Sequence, residues 1–242
     1  MNVIVDIGNT RTKIAWFEED ELIAVDFAIN MESIAELLFE KKIDNCIISS
    51  VANEELTKFV ISLFQHPVVL DSVTDLPITN AYRTPETLGK DRLANAVGAY
   101  LLFNNTNTLI VDAGTCLKFD FIDSSNSYLG GSIAPGLRMR FKAVHTFTDK
   151  LPLVEPEQMD AISLGDDTSS SIHAGCYMGM KNEIEATIQQ YRLKYNGLKV
   201  IITGGDMEEL QKMEFSQKNS IFADRWLTLR GLNKILRHNV ES

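Results

Sequence analysis

Val3-Ile4-Val5-Asp6-Ile7-Gly8-Asn9-Thr10 and Leu109-Ile110-Val111-Asp112-Ala113-Gly114-Thr115-Cys116 share one pattern. Each is an apolar run, an Asp, one small or apolar residue, a Gly, and then an amide or hydroxyl side chain. A short apolar run closed by turn residues reads as a buried strand. The offset from Val3 to Leu109 is 106 residues, nearly half of the 242-residue chain. Outward from each copy the pattern continues alike. Thr12–Phe17 and Glu21–Ile29 follow the first as strands, with the acidic run Glu18-Glu19-Asp20-Glu21 as a solvated hairpin tip. Leu117–Ile122 and Tyr128–Ala134 follow the second. An internal duplication is the economical explanation. It predicts two similar α/β halves, 1–106 and 107–242, facing each other.

Helical spacing of apolar residues predicts helices over Met31–Lys42, Glu54–Phe64, Leu88–Phe103, Leu137–Phe147, Asp167–Tyr195, Met207–Met213 and Asp224–His238. Further strands are expected at Asn45–Val51, Pro67–Leu70, Lys199–Thr203 and Ile221–Ala223. Asp71–Glu86 and Leu151–Ser163 read as irregular connections.

The net charge is −10. An acidic chain is a poor partner for nucleic acid or anionic membranes, whose phosphates need clustered Lys and Arg. Cys46, Cys116 and Cys176 are far apart and have no metal-ligand or redox spacing, which suits a reducing compartment. No signal peptide or membrane-spanning apolar run is visible, so a cytoplasmic location is expected. His66, His145, His173 and His238 show no ligand spacing.

Chemistry is suggested where polar groups interrupt strands. Asp6 ends a buried strand, where a carboxylate is costly without a partner or a task. Gly8 permits a tight turn. Asn9, Thr10 and Thr12 offer donors beside backbone N–H groups, and Lys13 offers positive charge. Such a hairpin can cradle an anion or be a plain turn. Asp112-Ala113-Gly114-Thr115 repeats the arrangement. In Gly89-Lys90-Asp91-Arg92, Asp91 is either a helix N-cap or a general base, and Arg92 is a candidate anchor for a polar substrate. The glycines of Gly130–Leu137 imply close backbone approach, to a ligand or to another segment, and the turn Thr203-Gly204-Gly205-Asp206 suits either a nucleoside passing over it or a tight strand-to-helix link. No Walker or Rossmann glycine pattern is present.

Taken in order, these segments resemble type III pantothenate kinases, of the actin/hexokinase/Hsp70-like superfamily. They are Asp6–Lys13, Tyr82 with Leu88–Arg92, Val111–Thr115, Gly130–Leu137, Asp167-Thr168 and Thr203–Gly205. The resemblance implies duplicated actin-like (ribonuclease H-like) domains. Each would be a mixed β-sheet flanked by helices, with an active-site cleft between them. It implies ATP-dependent phosphorylation of pantothenate, the first step of coenzyme A biosynthesis. Asp6, Ile7, Gly8, Asn9, Thr10, Arg11, Thr12 and Lys13, with Thr115, correspond to ATP contacts. Asp91 corresponds to the proton acceptor. Tyr82, Gly89, Lys90, Asp91, Arg92 and Thr168 correspond to the substrate site. Asp112 corresponds to a ligand of a monovalent cation, K⁺ or NH₄⁺, and Asp6 to an orienter of Mg²⁺ through water. A cytoplasmic homodimer is implied. The rival is a regulatory protein of the same fold, like Bvg accessory factor. In one place the sequence departs from the family. The second loop commonly continues with a small residue and hydroxyls, but here reads Gly114-Thr115-Cys116-Leu117-Lys118, with Lys118 where a hydroxyl is usual.

Overall fold

In the first strand, one face holds Val3, Val5 and Ile7, and Ile4 lies on the other; all four are fully buried. Both faces must therefore be covered by other elements. The computed structural model describes residues 1–8, 11–39, 41–51, 54–156, 164–212 and 221–241. They form two compact units. One is Met1–Asn104 with Asn126–Tyr128 and Trp226–Ser242, and the other is Asn105–Ser125 with Leu129–Arg225.

The first unit begins with β1 (Asn2–Ile7), β2 (Thr12–Glu18) and β3 (Glu21–Ala28). Then come α1 (Met31–Leu38), β4 (Asn45–Ser50), α2 (Glu54–Ser62), β5 (Val68–Val69), β6 (Thr79–Asn80) and α3 (Lys90–Leu102). Its sheet has the order β3-β2-β1-β4-β5. β1 pairs antiparallel with β2 and parallel with β4. Val3, Val5 and Ile7 share a core with Ile34 of α1 and Val60 of α2. α1 starts at a capping box, in which Asn30 accepts from the Ser33 N–H at 2.8 Å. β6 pairs with Ser127 and Tyr128.

The second unit holds β7 (Thr108–Ala113), β8 (Cys116–Ile122) and most of β9 (Ser127–Pro135). It continues with α4 (Leu137–Thr146), α5 (Thr168–Lys194), β10 (Lys199–Thr203), α6 (Met207–Lys212) and β11 (Ile221–Ala223). The order β9-β8-β7-β10-β11 repeats that of the first sheet. β7 is antiparallel to β8 and parallel to β10. Leu109, Val111 and Ala113 pack with Phe141 of α4 and with Ile172, Cys176, Met180, Ile184 and Ile188, one stripe of α5 spaced by fours.

α7 (Leu227–Val240) closes the chain. The expected division into 1–106 and 107–242 differs from the observed grouping here, because α7 belongs to the first unit. It packs on α3, β1 and β4. Two glycines allow the contact. A Cβ at Gly98 would lie 2.6 Å from the Leu227 carbonyl oxygen, and one at Gly231 would collide with the Ala94 carbonyl.

Candidate active site

In the first unit, β1 delivers Asp6 to the end of the strand, opposite Lys13 on β2 and Ser49 on β4. Lys13 Nζ lies 3.4 Å from Asp6 Oδ2. The Asp6 carboxyl is pushed above the usual carboxylate range. Burial is the main cause, Lys13 opposes it, the negative charge of Asp91 adds to it, and a hydrogen bond from Ser49 opposes it. Asp6, Lys13, Ser49 and Asp91 thus form one electrostatic group. Ser49 was not singled out from the sequence. Its signal was its place at the end of a buried strand.

The rest of the expected phosphate loop divides by role. Gly8 turns the chain, its N–H donating to the Arg11 carbonyl at 3.2 Å. The side chains of Ile7 and Thr12 are buried, so Ile7 can offer a ligand only its backbone. The Arg11 guanidinium stands 4.4 Å from the centroid of the Phe27 ring. Asn9 and Thr10 lie outside the described residues.

α3 presents Asp91 in its first turn, but the N-cap is Gly89. The capping alternative for Asp91 is therefore not what the structure adopts. Asp91 Oδ1 accepts from the Arg92 N–H at 2.9 Å. It folds back over Gly89, where a Cβ would sit 2.7 Å from that oxygen. The Arg92 side chain is buried, and its guanidinium lies 5.6 Å from the centroid of the Tyr82 ring. Tyr82 in turn packs against Tyr128 at 6.0 Å. Lys90 is near enough to Asp71 for its charge to act there. The structure thus gathers Tyr82, Gly89, Asp91 and Arg92 at one end of α3.

In the second unit, Asp112 stands opposite Lys118 on β8 and Thr203 on β10. This repeats the Asp–Lys and Asp–hydroxyl pairings of Asp6. Lys118 Nζ is 2.8 Å from Asp112 Oδ2. Gly204 has φ +105°, a conformation suited to glycine, and a Cβ there would meet both the Ala113 carbonyl and Asp112 Oδ1. The Asp206 N–H donates to the Ala113 carbonyl at 2.9 Å. Burial raises the Asp206 carboxyl, Arg138 lowers it, and Glu209 and Asp112 raise it further. Thr115 is exposed at the turn. Gly136 packs against the carbonyls of Gly114 and Thr115, and Gly131 against that of Phe119. These glycines serve contacts between chain segments, one of the two alternatives open from sequence. Thr168 is exposed at the start of α5, next to the capping residue Asp167, which accepts from the Ser170 N–H at 2.7 Å. Asp206 was missed as a charged neighbour of Asp112, and Arg138 as a charged neighbour of Asp206. They lie just beyond the end of β10 and on α4, far from Asp112 in sequence.

A sequence model of the type III pantothenate kinase family matches residues 2–190. The chain is 41% identical to a type III pantothenate kinase of Bacteroides fragilis, covering 99% of this chain and 98% of the relative. It is 37% identical to that of Flavobacterium johnsoniae, covering all of both chains. Among solved structures it resembles a Baf family protein, described as a putative transcriptional activator, from Campylobacter jejuni. The TM-score is 0.65 at 21% identity, covering 99% of this chain and 100% of that one. It also resembles a ROK family glucokinase from Streptomyces griseus, with a TM-score of 0.57 at 13% identity, covering 98% of each chain. These two structural likenesses speak for the fold.

Proposed function

The chain belongs to the type III pantothenate kinase family, and from that membership we propose how its residues divide the work of the reaction. The enzyme phosphorylates pantothenate to 4'-phosphopantothenate with ATP, in coenzyme A biosynthesis. Phosphoryl transfer asks a protein mainly for positioning and charge neutralisation. The hairpin from Asp6 to Lys13 holds the phosphates through its backbone N–H groups and Lys13, and Thr115 makes a second ATP contact. Tyr82, Arg92 and the turn at Gly89-Lys90 hold pantothenate, with Thr168 as a further contact. Asp91 accepts the proton of the attacking hydroxyl. The observation that supports this scheme is the charge interaction between Asp91 and Asp6.

No cluster of three or more His, Cys, Asp or Glu able to hold a metal ion occurs among the described residues. That fits Mg²⁺, which keeps its waters, binds nucleotide phosphates and needs only one or two carboxylates, here Asp6. When bound, Mg²⁺ neutralises charge on the phosphate oxygens. The monovalent cation implied by the resemblance has no part in this scheme, because Lys118 already sits on Asp112.

Among the described residues no helix is long and apolar enough to cross a membrane. Family membership supports a cytoplasmic homodimer with no nucleic-acid or membrane partner, and light scattering on the purified protein checks the dimer. A regulatory role like that of Bvg accessory factor is disfavoured, because full-length relatives at 35–41% identity carry the kinase name. A coupled assay for ADP over a panel of hydroxyl acceptors tests the reaction. ADP release that needs pantothenate is expected, and release indifferent to it would refute the assignment.

A further inference from the structure

The side chains of Asp112 and Lys118 are only 11% and 14% exposed, and they meet at 2.8 Å. The two carboxylate oxygens have different surroundings. Oδ2 accepts from the lysine. Oδ1 lies against two glycines, where a Cβ at Gly204 would be 2.6 Å away and one at Gly114 3.4 Å away. A potassium ion held by both oxygens of this carboxylate would need the one that the ammonium holds. It would also place a second positive charge beside Nζ, with little water to screen the two. These residues do not fit a site for an exchangeable monovalent cation.

We propose that Lys118 is itself the cation of this site, so that the kinase works without added potassium or ammonium. The lysine ammonium is chemically a tethered form of the ammonium ion. Its position is fixed by backbone pairing, since Asp112 and Lys118 are direct partners across β7 and β8. The same register recurs in the first unit, where Asp6 is the partner of Lys13. A lysine opposite the strand-end aspartate is therefore a feature of both copies of the duplicated strand pair.

The test uses the whole protein exchanged into choline buffer. Turnover of ATP with pantothenate is compared in choline, sodium, potassium and ammonium salts at equal ionic strength. The wild type is expected to change by no more than about twofold, the range left to general salt effects. In choline, Lys118→Thr is expected to lose about 10²-fold in turnover, the size of effect that follows removal of one charge-stabilising group, and potassium restores much of it. A readout independent of activity is the thermal midpoint, which potassium raises for Lys118→Thr and not for the wild type. A wild-type enzyme inactive in choline and restored by potassium would overturn the proposal. So would a Lys118→Thr protein whose turnover and midpoint both ignore potassium. If that variant does not fold, the wild-type salt series decides alone. Lys118 has this role within the pantothenate kinase reaction proposed above. Absence of pantothenate-dependent turnover in every salt would count against that reaction, and the midpoint comparison would still judge the cation.

Discussion

Asp6 and Asp91 stand within electrostatic reach of each other. Burial raises the Asp6 carboxyl above its usual range, Lys13 draws it back, and the charge of Asp91 pushes it up again. The charge of Asp91 thus works against that of the buried Asp6 in the free protein. Cationic magnesium and a substrate hydroxyl would relieve that opposition.

Replacing Asp91 by Asn removes the proton acceptor but keeps the shape of the first turn of α3. Turnover is expected to fall roughly 10²–10⁴-fold, while the protein folds and binds an ATP analogue as before. Single-turnover kinetics beside analogue titration check this. Near-normal turnover would remove Asp91 from the proton-transfer role.

The raised Asp6 carboxyl also links stability to pH. The folded state binds this proton more tightly than the unfolded state, whose value lies near the ordinary 3.8. Between 3.8 and the raised folded value, the folded state therefore carries more protons, and stability falls as pH rises through that window. Above the window the loss is complete. Asp6→Asn is accordingly expected to be inactive yet more stable than the wild type at pH 7. The gap should close as the pH falls through the window. Urea unfolding at several pH values measures it, and a constant gap would refute the assignment to Asp6.

Tyr82 offers Arg92 a ring face. Tyr82→Phe keeps the face and Tyr82→Leu removes it. The leucine variant is expected to raise KM for pantothenate roughly 2- to 30-fold, the worth of one cation–π contact, with KM for ATP little changed. The phenylalanine variant should stay close to the wild type. Equal effects of the two would mean that the hydroxyl, not the ring, is what matters.

Gly231→Ala puts a methyl group where the Ala94 carbonyl stands, between α7 and α3. A stability loss of about 1–3 kcal/mol is expected from overpacking. Because α3 carries Asp91, turnover should fall as well, even at temperatures where the variant is fully folded. Gly175→Ala is the control, since a Cβ there meets nothing within 4 Å.

The strands were legible because each copy is an apolar run closed by Asp and Gly, a pattern independent of what packs on it. Asp6, Asp91, Arg92 and Asp112 were legible as charges at element ends. What hid the kinship of Lys13 and Lys118 was the turn. Asp6 meets Lys13 seven residues on, and Asp112 meets Lys118 six residues on. A constant offset of 106 residues sets Lys118 against Thr12 instead. Only the backbone register places the two lysines alike. The destination of α7 was illegible for a different reason. Its apolar face would suit either sheet, and the choice rests on Gly98 and Gly231, which look unremarkable among fourteen glycines.

The grouping of α7 with β1, β4 and α3 bears on how the chain is made. Synthesis runs from the first residue, and domains tend to fold as they emerge from the ribosome. Here the unit that emerges first must wait. Its sheet keeps one face only partly covered until Leu227–Val240 has cleared the exit tunnel, whereas the second unit has all its elements out by Ala223. The half that starts the chain is thus the last to be sealed, and a chain ended after Ala223 would hold every element of the second unit while the first lacked α7.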